Sequence, residues 1–192
     1  YANTGIGLCD DRTFAAGIGR NTRWLGWGVA FVDLDLDGLL DLFLVNGHVY
    51  PEVDQVKTEA GYRQPKVVYR NRGDGRFDDV TARLGSPVTV PRASRGAAFA
   101  DFDNDGDVDV AVNAVGSRLV LLENRGADGN WLAVAAAGFS PGAVVTVRLA
   151  DGRSFRRELR AGSSYLSSED PRAHFGLGRA TQGGCADPRR PA

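Results

Sequence analysis

Two nine-residue segments of this chain carry carboxylates at matching positions and could bind a hard cation. Loop 1, residues 33–41, reads DLDLDGLLD, and loop 2, residues 101–109, reads DFDNDGDVD. Each loop has aspartate at positions 1, 3, 5 and 9 and glycine at position 6. Carboxylates this close repel one another unless a cation lies among them. Calcium suits them, because it takes six to eight oxygen ligands at about 2.3–2.6 Å. The spacing therefore predicts two calcium sites.

Each predicted site uses the four shared carboxylates and one backbone carbonyl, at position 7. The glycine at position 6 supplies the sharp turn that folds the loop around the ion. The predicted metal ligands are Asp33, Asp35, Asp37, Leu39 and Asp41 in loop 1 and Asp101, Asp103, Asp105, Asp107 and Asp109 in loop 2. We predict no catalytic role for these carboxylates, because bound calcium keeps them ionised whereas a general acid needs a raised pKa.

An EF-hand is the main alternative for an acidic loop, and the sequence argues against it. An EF-hand ends on a bidentate glutamate at position 12 and lies between helices. Position 12 is Leu44 after loop 1 and Val112 after loop 2. The flanking segments are apolar and rich in valine, phenylalanine and alanine, which indicates strands on both sides of each loop. Each site is therefore predicted to be a strand–loop–strand calcium site.

The loops belong to a longer repeat. Loop 2 begins 68 residues after loop 1, and the same offset aligns the glycine-led strands before the loops and the Asn-x-Gly turns that precede them. A third, degraded copy begins at Leu122, and the first unit carries an insertion over residues 48–65. Repeats of this length with several short strands are typical of four-stranded propeller blades. Since a blade cannot stand alone and position 1 is not methionine, we expect a fragment whose remaining blades lie elsewhere in a parent chain.

The motifs resemble two known families. Gly28–Asn46 and Gly96–Asn113 are similar to FG-GAP (VCBS-type) calcium-binding propeller repeats. Asn130-Trp-Leu together with residues 160–178, RAGSSYLSSEDPRAHFGLG, resembles the ASPIC/UnbV domain that follows such repeats in the cartilage acidic protein family and its bacterial relatives. The resemblance implies an all-β chain: a partial β-propeller of about two blades followed by a small all-β domain.

Three regions follow from these patterns. Residues 1–126 form the repeat region, residues 127–178 the ASPIC/UnbV-like domain, and residues 179–192 a tail. In the second region, two β-rich runs flank Asp151-Gly152, which predicts a hairpin with a type I′ turn. The tail is poor in apolar residues and rich in Pro, Gly and Arg, so we predict that it is disordered.

The composition of the chain limits the classes of partner that we expect. The net charge is −1, with 14 basic and 19 acidic residues up to position 129 and 9 basic and 5 acidic residues after it. The arginines are scattered rather than clustered, so nucleic-acid binding is not expected. No apolar run approaches the roughly 20 residues of a membrane span. The predicted partner is an unknown protein or glycan, together with the missing blades.

The function predicted from these observations is a calcium-binding, non-enzymatic binding module located outside the cell, at its surface or in the periplasm. Two calcium ions would stabilise the blades. An accessory or enzymatic role in bacterial secondary-metabolite biosynthesis of the enediyne type is the alternative, because the UnbV name derives from such gene clusters. Insertion residues could add a binding surface, and the candidates there are Asn46, His48, Tyr50 and Asp54.

Overall fold

The computed structural model describes residues 1–56, 58–136, 138, 141–181 and 183–189, the last of these as backbone only. This part of the chain is all-β, as predicted, apart from one short helix and three 3₁₀ turns. The strands are β1 (Ala2–Asn3), β2 (Cys9–Asp10), β3 (Gly26–Val32), β4 (Asp41–Asn46), β5 (Val67–Asn71), β6 (Phe77–Asp79), β7 (Ser94–Ala100), β8 (Asp109–Ala114), β9 (Val120–Leu122), β10 (Asn130–Ala135), β11 (Val144–Leu149), β12 (Ser154–Glu158), β13 (Arg172–Gly178) and β14 (Gly183–Arg189). The helix is α1 (Ser86–Thr89), and the 3₁₀ turns are Ile18–Asn21, Pro51–Gln55 and Thr81–Leu84.

The repeat region contains two successive antiparallel sheets. Blade 1 has the strand order β3-β4-β5-β6, and blade 2 has the order β7-β8-β9. Loop 1 connects β3 to β4, and loop 2 connects β7 to β8, with the pairs Val32↔Asp41 and Ala100↔Asp109 closing the two connections. The strand–loop–strand arrangement is therefore confirmed, and the partial propeller-like fold agrees with it.

The two blades share one hydrophobic core. Valines that face inward from both sheets fill the space between the blades, because alternate residues of a strand point to the same face. Val45, Val68, Ala97 and Val112 are each 0–1% exposed. The ring of Phe43 in blade 1 meets the ring of Phe99 in blade 2 edge-on, with centroids 5.7 Å apart. This packing fixes the position of each loop relative to the other.

The C-terminal domain comprises β10 to β14. Strand β10 pairs with β13, and β11 lies between β12 and β14. Its core is separate from that of the blades and is formed by buried side chains of β11 and β13, with Val145, Val147 and Phe175 fully buried. Within the described residues no helix is long and apolar enough to cross a membrane.

The hairpin predicted around Asp151-Gly152 is present, but the predicted turn type is wrong. A type I′ turn needs positive φ at both central residues, and in the described residues only Gly152 of the pair has one, at 90°. The Gly152 amide donates to the Leu149 carbonyl at 3.1 Å, and the Leu149 amide donates to the Arg153 carbonyl at 2.8 Å. The connection is a three-residue loop in which a type I turn is followed by a left-handed glycine.

The segment predicted as a disordered tail contains a strand over Gly183–Arg189. This segment forms β14, which pairs antiparallel with β11 from Val144↔Arg189 to Leu149↔Gly183. Low apolar content does not prevent pairing here, because the ladder is made by backbone groups and β14 lies at the edge of its sheet. An edge strand also tolerates proline, such as Pro188. Residues 190–192 lie outside the described residues.

The connection between β12 and β13 reaches the inner strands of both blades. Tyr165 packs edge-on against Trp27 of β3, with ring centroids 4.9 Å apart. Arg95 of β7 lies over the same indole, 4.5 Å from its centroid. A side chain at Gly96 would meet Ser167 Oγ and the Tyr165 carbonyl at 3.1 Å. The C-terminal domain therefore touches blade 1 and blade 2 together.

Candidate metal centre

The turn of each loop is fixed by its first aspartate. The Gly38 amide donates to Asp33 Oδ2 at 2.9 Å, and the Gly106 amide donates to Asp101 Oδ2 at 3.1 Å. Both glycines are in the left-handed region, with φ of 94° and 101°. Glycine adopts this conformation without steric cost. The sharp turn predicted at position 6 is therefore present in both loops.

The ninth residue ties each loop to the next strands. Asp41 Oδ2 accepts the Leu34 amide at 3.2 Å, and Asp41 Oδ1 accepts the Asn71 amide at 2.8 Å. The equivalent bonds in loop 2 run from the Phe102 and Asn124 amides to Asp109, at 3.1 and 2.8 Å. Sequence reasoning aligned the two asparagines only as turn residues and missed that their amides anchor the loops.

The structure brings three carboxylates together in each loop. One oxygen from each of Asp33, Asp35 and Asp37 lies within 4.8 Å of the others in loop 1. In loop 2 the corresponding cluster comprises Asp101, Asp103 and Asp109. The other residues predicted as ligands, which are Leu39, Asp41, Asp105 and Asp107, lie in the same loops. The role of all ten residues as metal ligands stays a prediction.

Loop 1 contains buried oxygens that fit a cation. Among the described residues, Oδ1 of Asp33 and Oδ1 of Asp35 are buried and accept no hydrogen bond. A buried carboxylate oxygen without a partner is costly, because it has lost water and gained nothing. Asp33 is only 2% exposed. An all-oxygen donor set with unpartnered, buried atoms is the chemistry that calcium satisfies.

Burial shifts the titration of loop 1. It raises the pKa of Asp33 to about 7, with the neighbouring Asp37 and Asp35 carboxylates adding to the effect. Burial likewise raises the pKa of Asp41 to about 6. In loop 2, burial raises the pKa of Asp107 above its ordinary value. A cation in loop 1 would reverse these shifts, since it favours the ionised form.

A basic side chain reaches loop 1 and has an acidic counterpart at loop 2. Arg70 Nη2 lies 2.7 Å from Asp35 Oδ2 and 3.7 Å from Asp37 Oδ2. The residue aligned with Arg70 in the next unit is Glu123. Glu123 accepts Arg125 Nε at 2.7 Å. Loop 1 therefore has the Arg70 guanidinium beside two of its predicted ligands, whereas the aligned position of the next unit carries an acidic residue paired with Arg125. Sequence reasoning missed this difference.

Strand β13 of the C-terminal domain lies against loop 1 through its backbone. The Gly176 amide donates to Asp33 Oδ2 at 3.1 Å, and the Gly178 amide donates to the Leu36 carbonyl at 2.7 Å. Leu36 is buried and has a left-handed backbone with φ of 58°. That conformation is unfavourable for leucine, and β13 covers the residue that adopts it.

The same strand contacts loop 2 through side chains. His174 Nε2 donates to the Gly106 carbonyl at 2.8 Å. Arg172 donates to the Asp101 carbonyl and to Asn104 Oδ1, both at 2.9 Å. His174 therefore has a hydrogen-bonded structural role. The bond between this histidine and loop 2 was not predicted from the sequence, because the two bonded residues are 68 positions apart in the chain.

The insertion residues considered as an additional surface bond to their own loop. His48 Nδ1 accepts the Tyr50 amide at 3.1 Å, and Asp54 Oδ1 accepts the Tyr62 amide at 2.7 Å. Asn46 is buried and donates to the Pro65 carbonyl at 2.8 Å. These bonds support local folding of the insertion.

Two family models match the chain. Residues 60–112 match the FG-GAP-like repeat, a range that includes loop 2, and residues 134–183 match the ASPIC and UnbV model. The second match extends past residue 178, into the segment predicted as tail. Both matches confirm the resemblance seen in the sequence.

Relatives resemble the chain across both regions. Cartilage acidic protein 1 of Xenopus tropicalis is 34% identical over 183 residues, which is 93% of this chain and 26% of the relative. The Mus musculus and Homo sapiens proteins of that name are 29% and 28% identical over 159 residues, which is 79% of this chain and 23% of each relative. The chain thus spans about a quarter of the length of the curated relatives it matches.

Proposed function

We propose that this chain, which is homologous to cartilage acidic protein 1 and carries an FG-GAP-like repeat and an ASPIC and UnbV domain, is a non-enzymatic interaction module that binds two calcium ions. Calcium would be held by the carboxylates and the position-7 carbonyls of loop 1 and loop 2. Its chemical contribution is to neutralise the clustered carboxylates and to join the two strands that flank each loop.

The observation that carries this proposal is the pair of buried, unpartnered oxygens in loop 1. Oδ1 of Asp33 and Oδ1 of Asp35 belong to two residues of the loop 1 carboxylate cluster, in which every candidate ligand atom is an oxygen. Loop 2 repeats the same hydrogen-bonded frame at its first, sixth and ninth positions. The same frame is present in two blades, and two carboxylate oxygens of loop 1 have no hydrogen-bond partner among the described residues. These observations favour a hard-cation site over an acidic turn without an ion.

The chain is expected to act outside the cell, at its surface or in the periplasm, on a protein or glycan partner. The extracellular part of this proposal rests on the homology to cartilage acidic protein 1 and on the FG-GAP-like repeat. The alternative role in secondary-metabolite biosynthesis stays a prediction, since none of the contacts described above favours it.

Calcium titration of the full chain tests the proposal. We expect two calcium ions to bind by isothermal titration calorimetry and the melting temperature to rise. At a calcium concentration about 100 times the dissociation constant, each site adds about 2.7 kcal/mol to the free energy of unfolding. For a chain of this size that is about 5–10 °C per site.

The double variant Asp35→Ala/Asp103→Ala should lose both the binding heat and the rise in melting temperature. Asp10→Ala/Asp78→Ala is a matched control, because it removes two aspartates whose side chains are 58% and 61% exposed, outside the loops. The control should behave as the unaltered chain does. Equal calcium binding by the double variant and the control would contradict the assignment of the two loops.

A further inference from the structure

We propose that strand β13 makes the two calcium sites cooperative: an ion in either loop strengthens the docking of the C-terminal domain, and the docked domain strengthens binding in the other loop. This inference rests on the proposed function and adds a coupling between the sites. The coupling would act through the interface that β13 forms with both loops. Loop 2 begins 68 residues after loop 1 in the chain.

Strand β13 has two faces with different partners. Ala173, Phe175 and Leu177 are 4%, 0% and 6% exposed and belong to the core of the C-terminal domain. The residues between and beside them make the contacts with the loops. Since successive residues of a strand point to opposite faces, one face of β13 is fixed in its own domain and the other lies on the metal loops. The strand therefore moves together with its domain.

The loop-facing side of β13 bonds to the predicted ligand residues themselves. The Gly176 amide donates to a carboxylate oxygen of Asp33, the first ligand of loop 1. Arg172 donates to the backbone carbonyl of Asp101, the first ligand of loop 2. An ion that positions either aspartate therefore also positions a hydrogen-bond acceptor for β13.

The contact leaves no free space at loop 1. A Cβ added at Gly176 would lie 2.5 Å from Leu36 Cα, and it would also overlap Asp33 Oδ2. Loop 1 cannot shift toward β13 without displacing it. A change in loop 1 on gain or loss of an ion is therefore transmitted to the strand.

Loop 2 is packed equally closely against the domain. A Cβ at Gly106 would overlap the indole of Trp131. Trp131 lies on β10 and stacks on His174, with ring centroids 6.1 Å apart and planes 14° apart. The β10–β13 pair therefore holds the turn of loop 2 through the Trp131 indole and the His174 hydrogen bond. Both loops are in contact with one rigid element.

Coupling of this kind is reciprocal. If calcium in one loop favours the docked domain, then the docked domain must favour calcium in that loop by the same factor. Because the domain contacts both loops, each ion raises the affinity of the other loop. Couplings between sites typically change affinity by about fivefold or more.

Single-loop variants of the full chain measure the coupling. Calorimetry with calcium chloride gives the affinity of loop 2 in Asp35→Ala and of loop 1 in Asp103→Ala. We expect the remaining site in each variant to bind about fivefold or more weakly than in the unaltered chain. Affinities unchanged within about twofold would overturn the coupling while leaving the two calcium sites in place. Absence of calcium binding by the unaltered chain would overturn the proposed function, and the coupling with it.

A variant on the interface separates coupling from direct damage to a site. Arg172→Ala removes bonds to loop 2 and to Asp170, and it leaves the predicted ligands of loop 1 intact. We expect it to weaken calcium binding in loop 1 as well, measured in the Asp103→Ala background. Arg148→Ala is the matched control, an exposed arginine on β11 of the same domain. Equal loop 1 affinities for the two arginine variants would contradict the proposal.

Hydrogen exchange supplies a readout that does not depend on binding heat. Calcium should slow exchange of the Gly176 and Gly178 amides, which bond to loop 1, even in Asp35→Ala, where only loop 2 binds an ion. Far-ultraviolet circular dichroism confirms that each variant is folded before it is compared. Slowing that occurs only when loop 1 itself is intact would overturn the coupling.

Discussion

Loop 1 and loop 2 share one frame and differ in their surroundings. In both, the first and ninth aspartates accept the same backbone amides, and the sixth residue is a left-handed glycine. Around that frame, loop 1 is enclosed, with Asp35 and Asp37 half-buried, whereas Asp103 and Asp105 of loop 2 are exposed. The aspartate spacing therefore defines the shared frame, whereas neighbouring residues define how enclosed each loop is.

The two loops also differ in the hydrogen bonding of their first aspartate. In loop 2 the Asp105 amide donates to Asp101 Oδ1 at 3.1 Å, so this oxygen has a partner. The corresponding Oδ1 of Asp33 accepts no hydrogen bond among the described residues. Position 4 is Leu36 in loop 1 and Asn104 in loop 2, both with positive φ. Asparagine tolerates this conformation better than leucine does. Loop 1 is therefore the more strained of the two loops without an ion.

The largest effect is expected from a side chain at the turn of loop 1. Gly38→Ala should lower the free energy of unfolding by about 3 kcal/mol, from about 1–2 kcal/mol for the left-handed backbone and about 1–3 kcal/mol for crowding. The crowding arises because the new Cβ would lie 2.5 Å from the Phe155 ring of the C-terminal domain. Denaturant unfolding measures the difference.

Gly75→Ala is the matched control for that experiment. Gly75 has a similar φ of 78° but nothing within 4 Å of an added Cβ, so only the backbone cost should appear. Equal destabilisation by the two substitutions would show that the C-terminal domain does not pack on loop 1.

An intermediate effect is expected from pH. Because burial raises the pKa of Asp33 to about 7, calcium must displace a proton from loop 1 below that pH. The affinity of loop 1 should fall between pH 8 and pH 6, by up to about tenfold per pH unit for one displaced proton. Loop 2 should change less, because its third and fifth ligands are exposed. Calorimetry on Asp103→Ala and Asp35→Ala measures each loop separately.

The same pKa predicts the stability of the ion-free chain with its sign. A carboxyl whose folded pKa lies above its unfolded value binds more protons in the folded state, so stability falls as pH rises from about 4 to about 7. Added calcium should remove or reverse this trend. For the calcium-affinity experiment, a pH profile of loop 1 as flat as that of loop 2 would contradict the enclosed character of loop 1.

The smallest effect is expected from the residue that differs beside the ligands. Arg70 competes with calcium for Asp35, so Arg70→Gln should tighten binding in loop 1. An exposed ion pair contributes about 0.2–1 kcal/mol, which corresponds to an increase of up to about fivefold in affinity. Glu123→Gln at the aligned position should weaken loop 2 or leave it unchanged. Tighter calcium binding in Arg70→Gln without tighter binding in Glu123→Gln would support the difference between the loops. Tighter binding in both variants would contradict it.

The local parts of this molecule could be predicted from sequence, and the long-range contacts could not. The aspartate spacing and the apolar strands on both sides predicted the loops and blades, because these depend on neighbouring residues. Even locally, the turn type at Gly152 was wrong, because it depends on backbone geometry. The pairing of β14 was not predicted, because it depends on an available strand edge. The contact of Gly176 with Asp33 spans 143 residues and is made by a backbone amide. The residue types in the sequence do not predict such a contact.

That separation of 143 residues between Asp33 and Gly176 also orders events during synthesis. At about 5–20 residues per second, translation from one to the other takes roughly 7–30 s. Blade 1 can pair its strands in a small part of that time, because its hairpins are local. We therefore expect the hairpins of blade 1 to form on the nascent chain before the C-terminal domain is available to close over loop 1.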